Sequence, residues 1–325
     1  MPKRAPLPEA FQGVPFSRQA ALEGGISAKR LRGRDLRAEF HGVRAQQGVA
    51  TDLSWRCFAY TRRLRPGNMF SHLTAARLYG LPLPLYVRPD DAIQVCSPAA
   101  ITPPYGVGIR GHRLAGEKWR VRDLVIRDTS TGEMFVLPVA SPELVWAQLA
   151  STLDIADLIA VGDAILAGGM PLATIADLTS IAGLFAGSRG SAQMTAALPR
   201  QRVGSRSRTE TLTRLMIVDA GLPEPELNIG VHDLQGGEIA TADLVWRRYR
   251  TLSEYEGNGH RSPGKFRSDI TRFERYADNN WSALRVHADD LFVDPNLYLA
   301  RLGRRLSSRG WPGQVESRHI APARR

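Results

Sequence analysis

The order of helical and strand patterns between residues 205 and 311 constrains the fold more than any other feature. The patterns predict a helix, three strands, a helix, a strand and a final helix, at 205–220, 226–234, 238–246, 250–257, 266–279, 281–287 and 295–308. The sequence Gln-Gly-Gly at 235–237 joins the first two strands and is a hairpin signal. This order predicts a mixed sheet with helices on its faces.

The chain of 325 residues exceeds one typical core, and composition divides it into three predicted domains, 1–65, 66–200 and 201–325. The fold class is therefore mixed α/β (α+β). The first domain shows a helix at 17–23, a glycine turn, a second, basic helix beginning at 27–32 and a strand at 36–44. This order predicts a winged helix that presents its basic end to DNA. The middle domain shows strands at 92–96 and 108–113, helices at 142–149 and 154–166, and a helix or linker at 183–200.

Positive charge is concentrated at the N-terminus. The net charge is +11, and residues 1–65 carry 13 basic and 5 acidic side chains, a local excess of +8. Such a basic end is typical of a nucleic-acid binder, because lysines and arginines displace counterions from phosphate. A merely solubilising excess is the alternative. The candidate DNA-binding residues are Arg18, Lys29, Arg30, Arg32 and Arg34.

Three acidic residues are predicted to meet on one face of the C-terminal sheet. If the turn between the second and third strands lies near Arg248, Asp243 faces Glu254, and Glu256 lies diagonal to Asp243. Like charges placed opposite each other destabilise a sheet, so they favour a bound cation or raised pKa values. Carboxylate oxygens suit Mg²⁺ or Mn²⁺, which can activate water for attack on a phosphodiester.

A different register leaves the same acids without a metal. A slip of one residue would turn Asp243 and Glu254 to opposite faces, where water would solvate them. Neighbouring arginines could also neutralise the acids as a surface network. Spacing alone leaves both alternatives open.

Four further residues surround the acids in sequence. His260 follows a flexible Gly-Asn-Gly stretch and is a candidate base or water-holding residue, with an exposed loop histidine as the alternative. Asp269 and Arg272 are three apart on a helix and are predicted to pair. Arg285, on the following strand, is a candidate to pair with an acid or bind phosphate.

These motifs together resemble a known nuclease family. The chain resembles the restriction-endonuclease-like domain, PD-(D/E)xK, in the branch similar to very-short-patch-repair endonucleases. The resemblance lies in Asp243-Leu-Val-Trp, the run from Glu254 to His260, the Asp269-Ile-Thr-Arg motif and the Trp281–Val286 strand. The resemblance covers about residues 205–311. It implies an αβββαβ core and a Mg²⁺-dependent endodeoxyribonuclease activity.

The resemblance also implies roles for individual residues. Asp243 and Glu254 match the metal-binding acids, and Glu210 matches the acid of the first helix. The lysine expected two residues after the second acid is Glu256 here. His260 fits the histidine that this branch shows shortly afterwards, and Lys265 is a candidate for the missing positive charge.

The front of the chain resembles a second family. Segments 18–43, 70–76 and 137–142 look like the AbiEi-type antitoxin and transcriptional-regulator region, which combines a winged helix with a mixed α/β domain. The resemblance covers about residues 10–170. It implies DNA binding in a toxin–antitoxin or phage-defence locus, with a cognate toxin as a candidate partner.

The sequence therefore predicts a DNA-binding protein that cuts or nicks DNA with Mg²⁺ or Mn²⁺. The alternative is an antitoxin-like regulator with a catalytically inactive nuclease fold, and nothing separates DNA from RNA as the substrate. Cys57 and Cys96 lack metal-type spacing, which indicates a reducing compartment. Because the chain also lacks an apolar run of about 18 residues, we expect a cytoplasmic protein without membrane contact.

Overall fold

The computed structural model describes residues 6–48, 52–85, 87, 92–127, 132, 134–256 and 263–315, with the side chains of 263–267 excepted. The chain forms two compact units. The N-terminal unit comprises Met1–Gly80 and Val87–Leu149, and the C-terminal unit comprises Leu81–Tyr86 and Ala150–Arg325. Residues 150–200 thus lie in the same unit as the predicted C-terminal domain. Whether the three predicted segments are separate domains stays a prediction.

The N-terminal unit begins with a small sheet and two helices. Its elements are β1 (Phe16–Ser17), α1 (Arg18–Glu23), β2 (Leu36–Phe40), β3 (Val43–Gln46) and α2 (Leu53–Thr61), with strand order β1-β3-β2. The helix predicted after the serine cap is confirmed as α1, because the Ser17 side chain accepts a hydrogen bond from the backbone N–H of Ala20.

Two predictions for this region are wrong. The second basic helix, expected from residue 27, is a single 3-10 turn at Arg30–Arg32, because Gly33 takes an extended conformation there. The strand expected over 36–44 is instead the β2–β3 hairpin, since Gly42 adopts a positive φ of 78° that a continuous strand does not allow.

A six-stranded sheet completes the N-terminal unit. Its elements are β4 (Met69–Phe70), α3 (His72–Leu78), β5 (Ile93–Pro98), β6 (Tyr105–Gly106), β7 (Ile109–Leu114), β8 (Val121–Arg127), β9 (Met134–Ala140) and α4 (Pro142–Leu149). The strand order is β6-β7-β5-β4-β9-β8. The strands predicted at 92–96 and 108–113 and the helix at 142–149 are confirmed, whereas β8 and β9 were not predicted.

The C-terminal unit contains the predicted succession of helices and strands. Its elements are α5 (Ile155–Leu166), α6 (Ile175–Leu184), α7 (Ser191–Ala197), α8 (Arg208–Asp219), β10 (Glu226–His232), β11 (Glu238–Trp246), β12 (Thr251–Glu256), α9 (Pro263–Asp278), β13 (Ser282–His287), α10 (Ala288–Phe292) and α11 (Pro295–Ser307). The order predicted for 205–311 is confirmed, with α10 as an unpredicted short helix.

The four strands of this unit form one mixed sheet between two hydrophobic cores. The order is β10-β11-β12-β13, in which the first three strands are antiparallel and β13 runs parallel to β12. Alternate residues serve opposite cores. Leu244 and Trp246 pack with α8 and α11, whereas Val245 and Leu252 pack with Tyr276 of α9. The predicted mixed sheet with helices on both faces is confirmed.

No helix in the described ranges combines the length and apolar character that crossing a bilayer requires.

Candidate functional site

The register between β11 and β12 brings Asp243 beside Glu254. Leu244 pairs with Ser253 and Val245 pairs with Leu252, and continuing this register by one residue places Asp243 opposite Glu254, as predicted. The turn before β12 closes at Arg250, which adopts a left-handed conformation with φ of 41°. We call Asp243 and Glu254 the acid pair.

Both members of the acid pair face α9. They share the sheet face of Val245 and Leu252, whose core contains Tyr276. Tyr276 donates a hydrogen bond to Glu254 Oε1 at 2.9 Å, and Arg272 donates to Glu254 Oε2 at 2.8 Å. Asp243 Oδ2 accepts a hydrogen bond from the backbone N–H of Tyr255 at 2.8 Å.

Arginines bind the acids that surround the pair. Arg272 also contacts Asp269 at 3.1 Å, which confirms the predicted pairing along α9. Arg285 Nε lies 3.4 Å from Glu256 Oε2, so Glu256 engages a cation from β13. Arg272 thus supplies to Glu254 the positive charge that closely placed acids require.

Burial raises the pKa of each carboxyl of the acid pair above its ordinary value. For Asp243, the Tyr255 N–H opposes the rise and the nearby negative charge of Glu210 adds to it. For Glu254, Arg272 and the Tyr276 hydroxyl oppose the rise, whereas Asp243 and Asp269 add to it. The negative charge of Asp243 thus acts on Glu254, as their predicted proximity requires.

Glu210 occupies the first turn of α8 and is held there by three hydrogen bonds. Its Oε1 accepts from Ser207 Oγ at 2.9 Å, and its Oε2 accepts from the Arg206 N–H at 2.8 Å and from Asn228 Nδ2 at 2.6 Å. These bonds fix the Glu210 carboxylate near Asp243, and its negative charge raises the pKa of Asp243.

Sequence reasoning missed two residues of this site. Tyr276 lies four residues after Arg272 on α9, so helical spacing could have identified it as a neighbour of Glu254. Asn228, with a positive φ of 50°, reaches Glu210 from β10, and no local pattern indicates that contact.

Two predicted residues lie wholly or partly outside the description. His260 is outside the described residues, and only the backbone of Lys265 is described, within α9. Within the described ranges, no three His, Cys, Asp or Glu side chains lie close enough together to hold a metal ion.

Substitution Asp243→Asn is expected to raise the free energy of unfolding at about pH 8 in EDTA, and to leave it unchanged below about pH 4. Because the pKa of folded Asp243 is raised, the native protein loses stability as the pH rises through that pKa, and asparagine avoids this loss. Urea unfolding at both pH values measures the difference. Glu238→Gln, at an exposed acid on the same strand, is the control and should show no such gain. An equal gain at both pH values would contradict the prediction.

A basic surface in the N-terminal unit is a second candidate site. A groove of about 790 Å³ is lined by four arginines, Arg18, Arg44, Arg63 and Arg65. We call it the arginine groove. Tyr105 and Val107, at the β6–β7 turn, lie beside the groove and are 99% and 101% exposed. Arg18, Arg63 and Arg65 are exposed, whereas Arg44 is half-buried. Exposed arginines beside an exposed tyrosine are a combination that suits phosphate and base contacts.

The structure separates the predicted DNA-binding residues. Arg18 lines the arginine groove, whereas Lys29, Arg32 and Arg34 are exposed and do not line it. The guanidinium of Arg30 binds both oxygens of Asp35, at 3.0 and 2.6 Å, so this arginine is engaged within the protein.

Similar proteins do not identify the chain. No family model matches it. It is 32% identical over 121 residues to two uncharacterized proteins of Mycobacterium tuberculosis, MT2308 of strain CDC 1551 / Oshkosh and Rv2248 of strain ATCC 25618 / H37Rv. The match covers 37% of this chain and 44% of each relative. The chain thus spans less than half the length of the curated relatives that it matches.

Proposed function

We propose that this chain is a DNA-binding protein whose C-terminal unit is a Mg²⁺- or Mn²⁺-dependent DNA endonuclease. The observation that carries the proposal is the acid pair, in which Asp243 and Glu254 from adjacent strands face one another in a half-buried setting that raises the pKa of both carboxyls. Perturbed carboxyls brought together in this way are typical of functional sites. The resemblance of residues 205–311 to restriction-endonuclease-like domains supports the same reaction class.

The acid pair fits a hard divalent cation. Both side chains offer carboxylate oxygens, and Asp243 Oδ1 has no hydrogen-bond partner in the part of the chain that the structure describes. Mg²⁺ typically binds proteins through one or two carboxylates and keeps several waters, so two acids suffice. When bound, the ion polarises the phosphodiester and activates water.

The surrounding residues have distinct roles in this proposal. Asp243 and Glu254 hold the ion, and Glu210 reinforces the negative charge at Asp243. Arg272, which binds Glu254 at 2.8 Å, would provide a positive charge beside the ion, where the family expects a lysine. His260 remains the proposed residue for positioning or deprotonating water, with Glu256 and Lys265 in support.

Incubation of the purified chain with supercoiled plasmid DNA and Mn²⁺ tests the proposal, with EDTA as the control. Nicked or linear product that forms with Mn²⁺ and not with EDTA is the expected result. An intact plasmid with Mn²⁺, for protein that is folded by circular dichroism, would contradict the nuclease activity.

The second candidate function is an antitoxin-like transcriptional regulator with an inactive nuclease fold, acting with a cognate toxin. The observation that favours it is that internal cations already bind the acids, with Arg272 on Glu254 and Arg285 on Glu256. Calorimetric titration with Mg²⁺ separates the two functions. If the chain is a nuclease, the wild type should bind Mg²⁺ and the Glu254→Gln variant should not. If it is a regulator, neither protein should show a heat of binding.

The arginine groove supports the DNA-binding part of the proposal. Neutralising Arg18 and Arg65 to glutamine together is expected to reduce the slope of log affinity against log salt by about 2, since each phosphate contact contributes about 0.9. Both side chains are exposed and line the groove. Fluorescence anisotropy with a labelled duplex measures the slope.

The matched control replaces Lys29 and Arg34, two of the exposed basic residues outside the groove, by glutamine. Their slope should equal that of the wild type. If the control lowers the slope and the groove variant does not, DNA binds at the surface predicted from the sequence and not at the groove.

A further inference from the structure

A second cluster of arginines lies at the edge of the C-terminal sheet. A pocket of about 440 Å³ is lined by Ala283, Leu284, Arg285, Arg301, Arg304 and Arg305. We call it the arginine pocket. It lies between α11 and β13, and β13 is the outermost strand on its side of the sheet.

The amphipathic character of α11 creates this cluster. Tyr298, Leu302 and Leu306 lie on its buried face and pack into the core. Arg301, Arg304 and Arg305 are spaced three and four residues apart, so they share one side of the helix, next to the buried face. Three like charges on one helix face repel each other, and an anion bound between them relieves that repulsion.

The described residues compensate this positive charge only in part. Arg301 binds Asp290 at 2.6 Å and Arg285 lies 3.4 Å from Glu256, whereas Arg305 contacts the neutral hydroxyl of Ser282 at 2.9 Å. Arg304 is exposed and has no partner among the described residues. Four guanidinium groups therefore face two carboxylates, which leaves an excess of two positive charges.

The position of the pocket relates it to the acid pair. β13 runs parallel to β12, and Arg285 is the register partner of Glu254. Neighbouring strands lie about 4.8 Å apart. Arg285 lies on the sheet face of the acid pair, whereas α11 packs on the opposite face, so the pocket carries positive charge around the sheet edge. There the guanidinium groups can bind two phosphate oxygens at once.

We propose that the arginine pocket binds a phosphate group of the nucleic-acid backbone, separate from the phosphate held at the acid pair. The inference rests on the proposed nucleic-acid function and adds a second contact to the same substrate. Arg304 and Arg305 bind the phosphate directly, because neither is committed to a carboxylate of the described chain. Arg285 connects the pocket to the acids through Glu256.

Salt-dependent DNA binding by the full chain tests the pocket. Arg304→Gln with Arg305→Gln should reduce the slope of log affinity against log salt by about 0.9, the contribution of one phosphate contact, and Arg304→Gln alone should reduce it by a smaller amount. The exposed Arg304 side chain makes no hydrogen bond or ion pair with the described residues, so the single variant is expected to keep the native fold. Arg189→Gln, at an exposed arginine of the same unit outside the pocket, is the matched control and should keep the wild-type slope.

Further measurements distinguish free phosphate from nucleic-acid phosphate, and the proposal for the arginine pocket from the proposed nuclease activity. Inorganic phosphate, titrated by calorimetry, should bind weakly to the wild type; if Arg304→Gln abolishes its binding and leaves the DNA slope unchanged, the site takes free phosphate and the inference is overturned. If the wild type cleaves plasmid and the variants keep its slope, the proposal for the arginine pocket is overturned and the proposed nuclease activity is not. Reduced slopes without any cleavage would support the pocket and contradict the nuclease. A wild type that binds no DNA would overturn both.

Discussion

Substitution Asp243→Ala is expected to reduce metal-dependent plasmid cleavage by more than about 1000-fold and to leave DNA affinity in EDTA within about twofold of the wild type. Asp243 is one of the two carboxylates proposed to hold the ion. Without the ion, the reaction loses several kcal/mol of charge stabilisation and its activated water, and each 1.4 kcal/mol corresponds to about tenfold in rate. DNA affinity depends mainly on arginine contacts to phosphate, which this change leaves intact.

Two variants separate the loss of chemistry from the loss of structure. Alanine removes the acceptor of the Tyr255 N–H, whereas Asp243→Asn keeps an oxygen for that hydrogen bond and removes the charge. Both variants should be inactive, and Glu238→Gln, on the same strand, should cleave like the wild type. Initial rates of nicking with Mn²⁺ give the comparison. Sustained cleavage by folded Asp243→Asn would end the assignment of this residue as a metal ligand.

The C-terminal sheet is predictable from sequence because its signals are local and agree with one another. Strand β11 has the predicted bounds, Glu238–Trp246, since alternating residues serve two opposite cores and a glycine turn precedes it. The assumed turn near Arg248 then fixed the register that brings Asp243 to Glu254. A hairpin register follows from the turn, so one correct assumption placed the acid pair.

The missed features depend on particular polar contacts that the sequence pattern does not indicate. The helix expected from residue 27 has suitable composition, yet Arg30 folds back onto Asp35 and the chain extends at Gly33. In the site, the contacts of Tyr276 with Glu254 and of Asn228 with Glu210 span about 20 residues each. Periodicity reports which face of an element is buried, and it does not report which polar groups meet there.

The sequence also left open which positive charges neutralise the acids. Spacing permitted either a bound metal or an arginine network, and the structure contains Arg272 on Glu254 and Arg285 on Glu256. These arginines leave the proposed metal open, because a bound metal ion could replace them as the counter-charge of the acids. Metal titration, more than geometry, distinguishes the two functions.

The largest expected effect on stability comes from a buried ion pair between α5 and α8. Asp163 and Arg214 are 0% and 1% exposed, and Arg214 Nη2 lies 2.9 Å from Asp163 Oδ2. Asp163 also accepts hydrogen bonds from Thr211 Oγ1 at 3.0 Å and from the Arg202 N–H at 2.7 Å. This network joins the helices of 150–200 to the helix that carries Glu210.

Substitution Asp163→Ala is therefore expected to lower the free energy of unfolding by about 3–5 kcal/mol, because it leaves the Arg214 guanidinium buried without its main counter-charge. Asp219→Ala removes the partner of Arg200 in an exposed pair of similar length, 2.6 Å, and should cost at most about 1 kcal/mol. The double variant Asp163→Ala with Arg214→Met removes both charges and should recover part of the loss. Urea unfolding of the four proteins measures these differences. Two results would contradict the role of this ion pair in stabilising the packing of α5 on α8. One is a loss of unfolding free energy in Asp163→Ala no larger than that in Asp219→Ala, and the other is a double variant less stable than Asp163→Ala.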